Sequence, residues 1–244
     1  MAEFCMKIAG HTAKVTSLFE STPQYFKSYL TAEPPEFSIA VTRENIDFEQ
    51  ADLLAEAHRD GFRPRVFTDP FLERAAIQRA FAEYLFRYDI LLFHGSAVAV
   101  DGAGYLFTAH SGTGKSTHTR LWREVLGDRA VMVNDDKPFL EIKADRVWLH
   151  GSPWSGKHGL DANICVPLNG ICILERGKEN AIHPATAEEA FAMLQKQAYE
   201  PLNTASGTAF LTLVETLSQK VPLWKLACNK EPQAATVAWE AMGK

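Results

Sequence analysis

Residues 105–122, YLFTAHSGTGKSTHTRLW, decide how this chain is read. An apolar run gives way to a loop with two glycines and a lysine, and an amphipathic helix carrying Leu121, Trp122, Val125 and Leu126 follows until Gly127. A loop in that context can wrap its backbone N–H groups around phosphate oxygens, and the helix dipole adds positive charge at the first turn. Gly112 and Gly114 leave room for close approach. His110, Ser111, Gly112, Thr113, Gly114, Lys115, Ser116 and Thr117 are therefore the candidate nucleotide-binding residues. Lys115 is expected to reach the outer phosphates, and Ser116 to offer its hydroxyl to Mg²⁺. The plain alternative is a turn before a helix, and Ala109 stands where the common motif opens with glycine.

A magnesium nucleotide also needs carboxylates at a neighbouring strand end, because Mg²⁺ keeps most of its waters and takes only one or two carboxylates. Asn134-Asp135-Asp136 follows the apolar run Ala130 to Val133 and fits that need. Alone, two adjacent acids read as a solvated turn; beside a phosphate loop they complete a phosphoryl-transfer constellation.

Working outward, ILLFHGSAVAV and YLFTA read as two strands joined by a tight turn at Asp101-Gly102. AVMVNDD, FLEIK, RVWLHG, GICILER and VPLWKLA supply further strands. Helices are predicted from Pro70 to Tyr88, with Asp69 as N-cap and Phe71 on the apolar stripe, and over Ala187 to Ala198, Ala209 to Gln219 and Pro232 to Met242. Residues 1–68 read as a small α+β region: a hairpin over Phe4 to Leu18 broken at Gly10, a strand over Phe37 to Val41 and a helix over Phe48 to His58. Residues 69–244 read as the second, larger domain. Strands and helices are interspersed, so the expected class is α/β with a mixed sheet.

The chain has 244 residues, of which 46% are hydrophobic and 23% charged. That is close to the globular average and excludes wholly disordered, collagenous and coiled-coil classes. Lys and Arg number 25 against 30 Asp and Glu, a net charge of −5. No basic field draws in phosphate backbones, so nucleic acid is not an expected partner. The amino terminus, MAEFCMKIAGHTAKV, lacks a basic segment followed by an apolar stretch, and no run of about 18 apolar residues occurs anywhere. A cytoplasmic protein without membrane contact is expected. Cys5, Cys165, Cys172 and Cys228 form no CxxC pair and read as reduced, structural thiols.

HSGTGKST followed by NDD resembles the P-loop kinase branch that holds HPr kinase/phosphorylase and phosphoenolpyruvate carboxykinase. His94-Gly95, ahead of the strand hairpin, is similar to the HG segment of the HPr kinases. The resemblance covers about residues 90 to 142 and, more weakly, 171 to 198, where ICILERGKENAIHPATAEEA is similar to the nucleotide-side strand and helix of the carboxykinases. GSPWSGK, residues 151–157, resembles a segment of HPr-kinase-like bacterial proteins linked to peptide modification.

The resemblance implies an HPr kinase/carboxykinase-like P-loop domain, with ATP and Mg²⁺ as its cofactors. It makes one of the adjacent acids a general base and the other a metal ligand: Asp135 is assigned to the base and Asp136 to the metal, an order that can be reversed. His94 is expected beside Asp135, holding or tuning it. Lys157 is the candidate cation for the transferred phosphate, carried inward by residues 151–159 acting as a lid whose Trp154 covers the ligand. His118 and Arg120 either face the substrate or lie on the exposed face of their helix. Arg176 approaches the nucleotide if the carboxykinase likeness holds.

These readings describe an ATP-dependent kinase acting on a hydroxyl, whether a serine of a small protein or peptide or a small metabolite. A homo-oligomer is left open. The alternatives are a nucleotide-binding sensor or scaffold without chemistry and a carboxykinase-like enzyme acting on an oxo acid.

Overall fold

The computed structural model describes residues 1–59, 61, 63–202 and 207–243. The chain divides into two compact units, Met1–Tyr84 and Leu85–Lys244.

In the first unit, β1 (Ala2–Ile8) and β2 (His11–Ser17) form an antiparallel hairpin, and β3 (Phe37–Ala40) adds to β2 in parallel. The turn is made by Ala9 and Gly10 with φ of 47° and 86°, the pair of positive angles that a two-residue hairpin requires. A short turn of helix, α1 (Thr22–Tyr25), precedes β3, and α2 (Arg43–Arg59) and α3 (Asp69–Leu85) follow it. Glu73 on α3 is fully buried and accepts from the amides of Leu18 and Phe19 and the hydroxyl of Thr22. Arg79 on the same helix pairs with Glu49 and Asp52 on α2. Helix α3 begins one residue before the expected Pro70, so Asp69 lies within it, and a 3-10 turn over Phe86–Tyr88 takes its last residues. Leu72, Ile77, Phe81 and Leu85 form its buried stripe, whereas Phe71 is exposed and stacks on Phe67.

The second unit is α/β with a mixed sheet. Its strands are β4 (Ile90–Leu92), β5 (Ser96–Val100), β6 (Ala103–Thr108), β7 (Ala130–Asn134), β8 (Phe139–Ile142), β9 (Val147–His150), β10 (Cys165–Arg176), β11 (Ala181–Pro184) and β12 (Leu223–Cys228). Their main order is β4-β8-β9-β10-β6-β5-β7, with β12 paired to the far half of β10 and β11 to β12. The helices are α4 (Lys115–Leu126), α5 (Ala187–Gln197), α6 (Gly207–Lys220) and α7 (Gln233–Met242).

Side-chain alternation along the strands builds a core on each face. Leu106, Ile171 and Ile173 pack with Leu194, Phe210, Val214 and Leu217 of α5 and α6. The intervening Tyr105, Phe107, Cys172 and Leu174 pack with Leu121 and Trp122 of α4 and Ala235 and Ala238 of α7. Covered on both faces, the central strands read as continuous apolar runs. Thr186 caps α5 through a reciprocal box with Glu189, and all four cysteines are free.

The stretch ILLFHGSAVAV, read as one strand, is two. Phe93, His94 and Gly95 send their amides to the carbonyls of Pro138, Gln197 and Asp136 at 3.0, 2.7 and 3.0 Å, leaving the ladder. Gly95 makes this path possible: a Cβ there would come within 2.7 Å of Leu106 Cδ1. The strand read as GICILER begins earlier, at Cys165, because its first residues pair antiparallel with β9 before it turns to run parallel with β6. Among the described residues no helix is long and apolar enough to cross a membrane.

Candidate functional site

Three strand ends meet at one end of the sheet. β5 runs antiparallel to both β6 and β7, so the end of β6, the start of β5 and the end of β7 lie together. The glycine loop leaves β6 there, His94-Gly95 enters β5 there, and Asn134-Asp135-Asp136 closes β7 there.

The loop holds Gly112 at φ 75° and Gly114 at φ 126°, angles that L side chains rarely adopt. His110, Ser111 and Gly112 are exposed, Thr113, Gly114, Ser116 and Thr117 are half-buried, and Lys115 is buried as the first residue of α4. The Lys115 ammonium donates to Ala109 O at 3.2 Å. Burial lowers its pKa, opposed by the neighbouring Asp136 and Asp135 charges. Arg176, at the end of β10, donates to Gly112 O at 2.7 Å and braces the loop from outside.

The two acids occupy different surroundings. Asp135 is 5% exposed, and its Oδ1 accepts from Ser96 Oγ at 2.7 Å. Ser96 in turn shares a 2.8 Å hydrogen bond with Thr119, one turn beyond Lys115. Asp136 has a side chain 35% exposed, with Oδ1 3.3 Å from His94 Nε2. The sequence places His94 beside Asp135; its contact is with Asp136 instead. The cause is a turn: Asn134 Oδ1 accepts from the amides of Asp136 and Lys137 at 2.7 and 2.6 Å, ending the strand, while Gly95 binds the Asp136 carbonyl. Burial pulls the His94 pKa down to about 4, helped by Lys137, so the ring is neutral near pH 7. For Asp136 burial acts upward, but the hydrogen bond with His94 and the Lys137 and Lys115 charges outweigh it and hold the carboxyl below its usual range.

Ser96, Thr119 and Lys137 were not singled out in the sequence. The signal for Lys137 was its place directly after the acid pair; for the two hydroxyls, only strand pairing brings them together.

Residues 151–159 differ from the expected lid. Trp154 is 6% exposed and packs edge-on to Phe139. Ser152 takes a 2.8 Å bond from Asn134 and gives one to the Lys137 carbonyl, and Ser155 donates to Asp161. Trp154 therefore belongs to the core and offers no face to a ligand. Only Gly156 to Gly159 are exposed; Lys157 lies there, on the short turn Gly156–His158, beside Gly156, whose position abuts Asp136.

His118 lies neither on the outer face of α4 nor in the loop. It is buried against Phe107 and Trp122, whereas Arg120 is exposed and pairs with Glu124. Burial takes the His118 pKa down to about 3 from 6.5. An unfolded chain thus binds a proton below pH 6.5 that the folded ring refuses, and stability falls as pH drops from about 6.5 toward 3. The slope is about 1.4 kcal/mol per pH unit for one such ring. Urea unfolding at pH 7.5 and 5.0 should show His118→Phe losing about 2 kcal/mol less than the unmodified protein over that interval. Equal losses would mean that the ring is protonated in the fold. A cavity opens beside this residue, between the loop, α4 and the ends of β10 and β12.

Among the described residues no group of three or more His, Cys, Asp or Glu side chains converges on a metal position. Mg²⁺ does not need one, since it binds through one or two carboxylates and substrate phosphates. The hard oxygen donors here, Ser116 and the acid pair, fit it.

The family model described as "ScmC: SynChlorMet cassette protein ScmC" matches residues 76–231. No curated protein matches the chain. Among solved structures, the HPr(Ser) kinase/phosphatase from Coxiella burnetii is 11% identical; the match covers 61% of this chain and 94% of that one, with a TM-score of 0.37. That likeness is too low to carry an argument.

Proposed function

The chain belongs to the ScmC family of SynChlorMet cassette proteins, and we propose that it is an ATP-dependent kinase that transfers the γ-phosphoryl group to a hydroxyl. The observation that carries this reading is the meeting, at one end of the sheet, of a positive-φ glycine loop leading to a buried lysine with two carboxylates in unlike surroundings. A nucleotide binder without chemistry needs the loop but not an accessible acid set against a neutral histidine.

The loop amides and Lys115 hold the phosphates, and Thr119 and Ser96 fix Asp135 toward the start of α4. We assign the roles in the order opposite to the sequence expectation: the buried Asp135 with Ser116 on the metal side, and the accessible Asp136 as base. Mg²⁺, when bound, neutralises charge on the phosphate oxygens. The acceptor oxygen forms its bond to the γ-phosphorus as the bond to the β–γ bridging oxygen breaks, ADP departs, and the hydroxyl proton passes to Asp136. A loose transition state asks for a placed, ionised acceptor more than a strong base, which agrees with the lowered Asp136 pKa. Lys137 and the exposed Lys157 are the nearby cations suited to the transferred group.

The test is ATP turnover by the full chain, with and without peptides, small proteins and metabolites bearing hydroxyls. ADP formation tied to a phosphorylated acceptor is expected. Tight Mg-ATP binding without turnover on any acceptor would favour the sensor, and turnover only with an oxo acid would favour the carboxykinase.

A further inference from the structure

The transfer chemistry leaves open what holds the glycine loop in its phosphate-binding shape. His110 to Thr113 form a turn closed by the Thr113 amide, which donates to the His110 carbonyl at 3.2 Å, with Gly112 at φ 75° in the third position. That is the arrangement of a type II turn. Packing does not fix it. Gly112 is exposed, and apart from its chain neighbours nothing lies within 4 Å of where a Cβ on it would sit. Glycine also tolerates a wide range of ψ, so the peptide unit joining Gly112 to Thr113 can rotate about the line through its two Cα atoms.

Arg176 acts on that peptide unit. Its Nη2 donates to the Gly112 carbonyl at 2.7 Å. In a trans peptide the C=O and the N–H of one unit point in opposite directions, so holding the carbonyl outward turns the Thr113 N–H inward, back across the loop. Strand register puts the arginine there. β10 runs parallel to β6 with Ile173 opposite Thr108 and continues past the end of β6, so that Arg176 stands beside the loop that β6 feeds. Its backbone is tied down on the other side, paired with Cys228 of β12, and the next amide, of Gly177, donates to the Cys228 carbonyl at 2.9 Å. The loop's own carbonyls keep its donors occupied: His110 O takes the Thr113 amide and Ala109 O the Lys115 ammonium. A phosphate oxygen carries more negative charge than a carbonyl and can take over either donor.

We infer that Arg176 is a positioning residue, a clamp that selects the phosphate-binding orientation of the Gly112–Thr113 peptide. The inference rests on the nucleotide-binding reading of the loop. With the peptide turned over, the carbonyl oxygen faces the phosphates and repels them, and one donor is lost. A nucleotide then binds only the fraction of molecules whose peptide faces the right way, and its apparent affinity falls by that fraction. Arginine suits the task because its donors sit in a rigid planar fork and its charge is permanent. A hydrogen bond from a charged donor also holds an exposed carbonyl more strongly than one from a neutral donor.

The test uses the full chain with isotope-labelled threonine amides, together with Arg176→Ala and Arg176→Lys. Without ligand, the Thr113 amide signal, assigned by its loss in Thr113→Ser, should shift or broaden in Arg176→Ala. It should return toward its original position in Arg176→Lys, which keeps the charge and a donor. Mg-ATP and inorganic tripolyphosphate with Mg²⁺ should both bind Arg176→Ala about three- to tenfold more weakly, by the same factor, as follows if the clamped orientation falls to about a third to a tenth of the population. Arg176→Lys should recover most of that loss. ATP weakened with tripolyphosphate unaffected would mean that Arg176 contacts the nucleoside, and both weakened with an unmoved Thr113 signal that it contacts the phosphates itself. Either result overturns the inference, as does binding equal to that of the unmodified chain. In all three the phosphate loop stands, whereas failure of both probes to bind the unmodified chain removes the loop reading and the inference with it. Should Arg176→Ala fail to fold, Arg176→Gln, which is neutral and shorter, takes its place with the same expectations.

Discussion

Asp136→Asn should lower phosphoryl transfer at least about 10²-fold while leaving Mg-ATP affinity within about threefold, the pattern of a lost general base. The carboxylate is reachable, lies 3.3 Å from His94 Nε2 and is held ionised against the effect of burial by that ring, Lys137 and Lys115. Asparagine keeps the shape and can still accept from His94, but it cannot take a proton from the incoming hydroxyl. Asp135→Asn should behave differently. Its carboxylate is buried and tied through Ser96 to Thr119 on α4, so its loss should raise the Mg²⁺ concentration needed for half-maximal rate. Metal titrations of both variants with single-turnover rates check the division of labour. If Asp135→Asn shows the pure rate defect and Asp136→Asn the metal defect, the roles exchange; identical metal defects would make the pair one metal site with the base elsewhere.

The parts of this site that sequence makes legible are the local ones. Glycines at 112 and 114, a lysine opening an amphipathic helix and two acids closing an apolar run each signal themselves within a few residues. What stayed hidden depends on distant partners. Nothing in ILLFHGSAVAV marks a break at Phe93, because its cause lies in the carbonyls of Pro138, Gln197 and Asp136. The same break carries His94 to Asp136 and not to Asp135, since a side chain's neighbour across a turn is set by the Asn134 cap, not by adjacency in sequence. Strand β11 escaped notice because, mostly exposed and paired with β12 alone among the described strands, it carries no alternation. Trp154 was misread for a related reason: glycines around a tryptophan look like a hinge until its ring is found against Phe139. His118 was within reach, because it precedes Leu121 and Trp122 by three and four residues and so shares their stripe.

Lys115→Ala should weaken Mg-ATP binding about 10- to 100-fold, and tripolyphosphate binding by the same factor. A charge-assisted hydrogen bond is worth about 1.5–3 kcal/mol, and each 1.4 kcal/mol is tenfold in affinity. The lysine is 9% exposed, and in partly desolvated surroundings its attraction to phosphate is screened less than at the surface. Against that stands the bond it surrenders, since Lys115 donates to Ala109 O at 3.2 Å and sits near both acids. Moving the ammonium to a phosphate exchanges one acceptor for a more highly charged one, so the net gain is a fraction of the gross interaction, and the lower end of the range is expected for binding. The rate should fall further than the affinity, because charge builds on the transferred group only as the bond to ADP breaks. Calorimetric binding and single-turnover transfer, with urea unfolding to verify that the variant is folded, separate the two effects. A folded Lys115→Ala protein with unaltered nucleotide affinity and transfer would mean that the glycine loop is a structural turn, and the kinase reading would fall with it.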